Sequence, residues 1–117
     1  MEISDRPELA AEQGAAQVFL RKLRGNYDVE RAILFGSRAR GVHHADSDLD
    51  LAVVLKGARQ DFIDTKLAMA GIAFDVMMET GILVQALPMW DDDLDHPERF
   101  TNPALIRNIA AEGIRVE

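Results

Sequence analysis

A glycine-serine pair that closes one apolar run, and two aspartates that open another, constrain this sequence more than any other feature. An Ile-Leu-Phe run is followed directly by Gly36 and Ser37. Ten residues later come Asp48 and Asp50, at the start of the apolar run 49–55. The pattern predicts two buried strands with a tight turn after the first. Because residues i and i+2 of a strand point to the same face, both carboxylates should project together.

These residue types suit a nucleoside triphosphate with its metal ions. Glycine lets backbone N–H groups come close to a phosphate, and a serine hydroxyl adds one donor. Arginines in the same turn can make forked contacts with phosphate oxygens, although either could instead be a solvated surface charge. Two carboxylates can hold Mg²⁺, which prefers one or two carboxylates with phosphate oxygens and water. We therefore predict nucleotide contacts at Gly36, Ser37, Arg38 and Arg40, and metal contacts at Asp48 and Asp50.

Asp75 interrupts a second apolar stretch, which predicts a strand over residues 72–78. A buried and unpaired carboxylate is unfavourable, so Asp75 needs a partner. A cation shared with Asp50 would supply one, and a third acid would complete a two-metal site. The alternative is an aspartate paired with a nearby arginine or capping a loop.

The remaining residues predict helices and further strands around this pair. We expect helices over residues 6–24, over 59–70 and from 102 onwards, and strands over 30–35, 49–55, 72–78, 81–87 and 114–116. Residues 88–102 should form a polar loop. The order of elements predicts one domain, residues 1–117, of α+β or α/β class, with helices packed on a small mixed β-sheet of about four to five strands.

Composition and charge exclude several function classes. The net charge of −7 argues against stable nucleic-acid binding, which needs clustered Lys and Arg. The absence of cysteine excludes disulfides and thiolate metal sites. No stretch approaches the roughly 20 apolar residues that cross a bilayer, and the first residues lack the pattern of a secretion signal. We therefore expect a cytoplasmic protein with no membrane attachment.

The stretch from Ile33 to Met78 resembles the DNA polymerase β-like nucleotidyltransferase superfamily. The resemblance rests on the motifs Gly-Ser-Arg-Ala-Arg-Gly and Ser-Asp-Leu-Asp-Leu and on the later Asp75. The wording of the two motifs is similar above all to the minimal members of the superfamily, the MNT proteins. It implies the polymerase β-like palm fold of these nucleotidyltransferases. It also implies transfer of a nucleoside monophosphate, AMP from ATP foremost, to a hydroxyl with release of pyrophosphate.

The same resemblance implies a role for each site residue. Gly36 and Ser37 would hold the β- and γ-phosphates, and Arg38 or Arg40 would steady the triphosphate. Two Mg²⁺ ions would be bound by Asp48 and Asp50. Asp75 would bind the catalytic ion and help to deprotonate the incoming hydroxyl.

A protein partner is implied as well. Minimal members often pair with a small helical HEPN protein as a toxin–antitoxin couple, in which the MNT protein attaches AMP to a tyrosine of the HEPN ribonuclease. The size of the chain agrees, because 117 residues leave little to shape an acceptor pocket. Two alternatives stay open: a nucleotide-binding module that neutralises its partner by covering it, and a small-molecule enzyme resembling the aminoglycoside nucleotidyltransferases. The sequence also leaves a homo- or hetero-oligomer open.

Three further groups invite a functional interpretation that we consider weaker than a structural one. His43 and His44 are expected to be polar loop residues. The acids of the segment 91–96 are expected to be solvated. Trp90 is expected to pack inside the protein and anchor the loop.

Overall fold

The computed structural model describes residues 1–41 and 48–117. Within these two ranges the chain forms four α-helices, α1 (Ala10–Leu23), α2 (Gly36–Arg40), α3 (Phe62–Thr80) and α4 (Pro103–Glu112). The strands are β1 (Val29–Phe35), β2 (Leu49–Leu55), β3 (Val84–Trp90) and β4 (Ile114–Arg115). Short 3₁₀ turns precede α1 and separate β3 from α4.

The strands form one mixed sheet in the order β3-β2-β1-β4. Strand β1 runs antiparallel to both β2 and β4, whereas β2 and β3 are parallel and are connected through α3. The register places Asp50 opposite Phe35 on one side and opposite Gln85 on the other. The start of β2 therefore lies between the end of β1 and the start of β3.

Alternating residues of β2 pack into two separate cores. Leu49, Leu51, Val53 and Leu55 belong to the larger core, together with buried residues of α1 and α3. Ala52 and Val54 belong to the smaller core, together with Ile106 and Ile109 of α4. Helices thus cover both faces of the sheet, as the mixed α+β prediction required. Asp50 shares the face of Ala52 and Val54, so its carboxylate lies on the side of α4.

The predicted strand over residues 72–78 is wrong, because these residues form the second half of α3. The helix begins after Asp61, whose side chain accepts a hydrogen bond from the Asp64 N–H, and ends at Gly81 in the left-handed region with φ of 78°. It is therefore longer than the predicted helix over residues 59–70. The last strand before the loop is also displaced, since β3 runs from Val84 through Trp90 rather than over 81–87.

Other expectations hold with small shifts at the ends. Helix α4 begins after Asn102, whose side chain accepts a hydrogen bond of 3.3 Å from the Leu105 N–H, with Pro103 in the first turn. Helix α1 begins at Ala10, later than expected, because residues 7–9 form a 3₁₀ turn. Within the parts of the chain that the structure describes, no helix is both long and apolar enough to span a membrane.

Candidate functional site

Gly36 and Asp50 touch across the antiparallel pair β1–β2. Gly36 has a φ of 78°, a conformation that residues with a side chain rarely adopt. A Cβ added at this position would overlap Oδ2 of Asp50. The turn after β1 therefore needs glycine for two reasons, its backbone conformation and the approach of this carboxylate. Gly36 and Asp50, which the sequence pattern assigned to one site although they are more than ten residues apart, are thus in direct contact.

The start of β2 brings Asp48 and Asp50 to the same side as Gln85 of β3. Gln85 Nε2 donates a hydrogen bond of 3.1 Å to Oδ2 of Asp48. Gln85 is also the residue of β3 that lies in register with Asp50. All three side chains line one open hollow of about 450 Å³. The predicted pair of carboxylates is thus formed, and an amide lies beside it.

The electrostatics of Asp50 differ from those of an exposed aspartate. Burial raises its pKa above the usual range, and the negative charge of Asp48 raises it further, whereas the Arg40 guanidinium partly offsets both. Two carboxylates this close repel each other, and a bound cation would relieve that repulsion. The arrangement therefore favours a cation or another positive group beside Asp48 and Asp50.

A second cavity adjoins the first on the side of α2. It has a volume of about 220 Å³ and its wall combines residues of α2, the strand ends and α4, namely Phe35, Gly36, Ala39, Arg40, Asp50, Leu105, Asn108, Ile109 and Glu112. It shares Phe35, Asp50 and Leu105 with the larger hollow. Asp50 is thus positioned between a compartment with Arg40 and one with Lys66 and Gln85.

The two arginines of the turn have different environments. Arg40 is exposed and lines the smaller cavity, as expected for a phosphate contact. Arg38 is only 5% exposed and forms an ion pair with Glu12 of α1, which is equally buried. The prediction that Arg38 contacts the nucleotide is therefore corrected: its guanidinium connects α2 to α1. Ser37 is half-buried at the start of α2, and its predicted phosphate contact stays a prediction.

Asp75 does not join the other two acids. It is exposed on α3, whose buried residues pack in the core that contains Leu49 and Leu51, the face of β2 opposite to Asp50. Across residues 1–41 and 48–117 no group of three His, Cys, Asp or Glu side chains is placed to hold a metal ion. The expected three-acid centre of Asp48, Asp50 and Asp75 is therefore wrong in its third member.

The remaining donor set fits one Mg²⁺ ion. Two neighbouring carboxylates supply hard oxygen ligands, and a nucleotide would add phosphate oxygens. In the hollow, a second ion would lack a carboxylate of its own among the described lining residues, because the position facing Asp50 on β3 is an amide. The expectation of two ions stays a prediction, and the described carboxylates of the hollow offer ligands for one.

One acid of the loop after β3, Asp93, has a structural role. Asp93 is fully buried, accepts a hydrogen bond of 3.0 Å from the Trp90 N–H, and pairs with Arg59 and Arg99. The expectation that this acid is solvated is wrong, while the expectation of a packed Trp90 is confirmed, since it is 1% exposed. His43 and His44 lie outside the described residues.

Sequence reasoning missed Gln85, Glu12 and Lys66. Gln85 can be recognised as a site residue only from the register of β3 with β2. Lys66 can be recognised only because the first turns of α3 lie beside the hollow that contains Asp48 and Asp50. Glu12 carried a weak signal, because an acidic residue on the apolar side of a predicted helix needs a buried partner.

Comparison with known proteins agrees with the fold described above. Two solved structures share the fold at 20% sequence identity. One is a candidate nucleotidyltransferase from Sulfolobus solfataricus, with a TM-score of 0.55 over 88% of this chain and 77% of that one. The other is a chain from the crystal structure of a toxin–antitoxin with AMP-PNP, with a TM-score of 0.61 over 90% of this chain and 72% of that one. No curated protein matches the chain. The model of the polymerase β nucleotidyltransferase family matches residues 19–116, and the chain belongs to this family.

Proposed function

We propose that this chain is an Mg²⁺-dependent nucleotidyltransferase that transfers AMP from ATP to a hydroxyl of a partner protein and acts as the antitoxin of a HEPN/MNT pair. The observation that carries the proposal is the contact between Gly36 and Asp50, with Asp48 on the same side. This contact joins a turn suited to phosphate and a pair of carboxylates suited to a cation. Family membership adds the class of reaction.

The nucleotide would lie across the two adjoining compartments. Its triphosphate would meet the backbone of Gly36, the Ser37 hydroxyl and the Arg40 guanidinium, which supply donors and positive charge. Asp48 and Asp50 would hold the Mg²⁺ ion, which when bound offsets negative charge on the phosphates. Lys66 lines the hollow together with these acids and would add a further positive group beside the phosphates.

The reaction would be one displacement at the α-phosphorus. The acceptor oxygen forms a bond to this phosphorus, the bond to the β-phosphate bridge breaks, pyrophosphate leaves, and the acceptor proton is released to water or a base. The chain contributes the position of the phosphates, while the acceptor approaches from the open side of the hollow. Holding the reactants in line in this way accounts for much of the rate gain in such transfers.

The choice of a protein acceptor rests on the size of the chain and on a neighbour. The helices and strands leave no separate lobe over the hollow in the described residues. The structural neighbour crystallised with AMP-PNP is a toxin–antitoxin, which makes a toxin the first acceptor to test. That the toxin is a HEPN protein, and that ATP is the donor, follow from the resemblance of the sequence to MNT proteins.

Transfer of label provides the test. The chain is incubated with α-labelled ATP, Mg²⁺ and the toxin encoded beside it, next to the variants Asp48→Asn and Asp50→Asn. We expect label on the toxin with the unaltered chain and at least a hundredfold slower labelling with either variant. Asp75→Asn is the matched control, because it removes an exposed acid of α3, and it should label as fast as the unaltered chain. Absence of labelling, or equal labelling by Asp50→Asn, would reject the proposal.

A second function is favoured by the amide of Gln85 beside the two acids. If this site binds a nucleotide without transferring it, the chain would neutralise its partner by covering it. Protection of cells from the toxin distinguishes the two functions. Full protection by Asp48→Asn and Asp50→Asn would favour binding, and loss of protection would favour the chemistry.

A further inference from the structure

We infer that Gln85 limits this site to one divalent cation for each bound nucleotide, an inference that rests on the proposed function. Gln85 occupies the position of β3 directly in register with Asp50. Its side chain points to the side of the acids, as its hydrogen bond to Asp48 shows. A carboxylate of β3 would have to stand at this position to share a cation with both aspartates.

The charges of the hollow support a single ion. Among the lining residues that the structure describes, Asp48 and Asp50 are the only carboxylates, and Lys66 is positively charged. The Gln85 amide is neutral, and its N–H group takes up a lone pair of Asp48 Oδ2 that a second cation would need. One Mg²⁺ ion uses the two carboxylates that the hollow offers. A second ion would gain no carboxylate from the described lining of the hollow and would be repelled by the first ion and by Lys66.

Gln85 is also easy to replace without disturbing the fold. It is exposed, and β3 is an edge strand of the sheet. Its neighbours Val84 and Ala86 point to the opposite face and are buried in the larger core. An acidic residue at position 85 therefore changes the charge of the hollow and leaves the core as it is.

Counting bound Mn²⁺ tests this inference without measuring activity. Mn²⁺ prefers the same octahedral oxygen ligands as Mg²⁺, and its free concentration can be followed by electron paramagnetic resonance. The chain is titrated in the presence of an ATP analogue whose α–β bridge cannot be cleaved. We expect one Mn²⁺ per bound nucleotide for the unaltered chain and for Gln85→Asn, and two for Gln85→Asp and Gln85→Glu.

The outcomes separate the inference from the proposed function. Two Mn²⁺ ions in the unaltered chain, or one ion in both acidic variants with unchanged thermal unfolding, would overturn the inference while leaving nucleotide binding intact. Failure of every variant to bind the nucleotide would contradict the proposed function and the inference together. The two acidic variants differ in side-chain length, so a poor fit of one does not decide the result.

A separate observation concerns the outer face of α3, from which we infer that two copies of the chain associate. Ile63, Leu67, Phe74 and Met78 are between 55% and 66% exposed. At about 100° per residue they lie within about 60° of one another around the helix. We call these four residues the outer stripe. The residues of α3 that pack in the larger core, Met69, Ala73 and Val76, lie on the other side of the helix.

The spacing of the outer stripe makes it complementary to itself. In an antiparallel pair of α3 helices with a two-fold axis between residues 70 and 71, Leu67 of one copy faces Phe74 of the other, and Ile63 faces Met78. Ala70 and Gly71 then lie at the crossing, where small residues let two helices approach closely. A Cβ added to Gly71 would meet nothing within 4 Å, so packing within the chain does not require glycine there. Self-complementarity of one surface is what a two-fold dimer needs.

The area is compatible with a dimer of moderate strength. An apolar patch of four half-exposed large side chains presents on the order of 400 Å², at the level of the largest patches of monomeric proteins. Burying it on two copies, together with the flanking side chains, removes on the order of 1,000 Å², the lower bound for a specific interface. The dimer should therefore depend on protein concentration.

Sedimentation equilibrium and cross-linking test the dimer. We expect a concentration-dependent dimer for the unaltered chain and for Ala68→Glu, an exposed position off the stripe, and a monomer for Leu67→Glu and Phe74→Glu. Because the chain has no cysteine, a single introduced cysteine can form a disulfide only with the same cysteine of a second copy, and it therefore reports how close the two copies are at that position. Ala70→Cys should form a linked dimer on mild oxidation, and Ala68→Cys should not, since a disulfide needs Cα atoms within about 7 Å. An unaltered chain that is a monomer at all concentrations would overturn the inference. If this monomer also loses toxin binding in the Leu67→Glu variant, the outer stripe is a binding surface for the toxin instead.

Discussion

Replacing Gly36 by alanine tests the contact on which the site depends, and Gly81 provides a matched control. Both glycines have a φ of 78°, so alanine at either position carries the same backbone strain. Only at Gly36 would the new Cβ overlap Asp50, whereas at Gly81 it would meet nothing within 4 Å. The two variants therefore differ in one respect, the displacement of the Asp50 carboxylate.

The strain sets the expected stability. Holding an ordinary residue in the left-handed region costs about 1–2 kcal/mol, so both variants should unfold at a temperature lower by roughly 3–10 °C. Gly36→Ala relieves its overlap by turning the Asp50 carboxylate away. This adds little to the loss of stability but moves a metal ligand. We expect its affinity for the Mg²⁺ form of the ATP analogue to fall at least tenfold, about 1.4 kcal/mol, and that of Gly81→Ala to stay unchanged.

Circular dichroism for unfolding and calorimetric titration for affinity provide the measurements. A double variant provides the control. Asp50→Ala removes the carboxylate that the new Cβ would overlap, so adding Gly36→Ala to Asp50→Ala should lower the affinity for the nucleotide no further. Equal affinities of Gly36→Ala and Gly81→Ala would refute the reasoning. So would an additional loss of affinity when Gly36→Ala is combined with Asp50→Ala.

Two further predictions concern a buried pair and a titrating acid. Arg38→Met leaves Glu12 buried without its arginine, and it should destabilise the chain by about 3–5 kcal/mol in urea unfolding; a loss below about 1 kcal/mol would contradict the structural role of this pair. The raised pKa of Asp50 means that the folded chain holds this proton more tightly than the unfolded chain. Its contribution to stability is therefore favourable at acid pH and is lost as the pH rises through the folded-state pKa. Asp50→Asn should accordingly raise the unfolding temperature at pH 7 and change it least near pH 3. An unfolding temperature of Asp50→Asn no higher than that of the unaltered chain at pH 7 would show that burial and the charge of Asp48 do not destabilise the ionised Asp50 carboxylate.

The part of the site that could be predicted from sequence is the part fixed by local spacing. Gly36 has the conformation that its turn requires, and Asp48 and Asp50 lie two apart at a strand start, so period-two geometry places them together. The arginines could not be separated by such reasoning. Arg38 and Arg40 are two residues apart in a helix, about 200° around its axis, and only the packing of α1 shows which one is turned inward.

The error over residues 72–78 has a physical cause in α3. This helix is apolar on two sides, with Ala73 and Val76 in the larger core and Phe74 and Met78 exposed. Its sequence therefore reads as one continuous apolar run, a pattern also shown by a buried strand. In a strand Asp75 would be a buried acid, whereas it lies on the exposed surface of the helix.

The limit of β3 was misplaced for a different reason. Pro88, which lacks an N–H group, is the first residue of the predicted loop, yet β3 continues through it to Trp90. Because β3 is at the edge of the sheet, proline there can point its missing donor away from β2. The displacement matters for the site, since only the true register places Gln85 beside Asp50.

Binding of an uncleavable ATP analogue with and without Mg²⁺ tests the central claim most directly, that Asp48 and Asp50 beside Gly36 form a nucleotide and metal site. Calorimetric titration should show one nucleotide per chain, affinity at least tenfold weaker when Mg²⁺ is removed, and the same loss in Asp50→Asn with Mg²⁺ present, while Asp75→Asn binds normally. Affinity that is indifferent to both Mg²⁺ and Asp50 would contradict the claim.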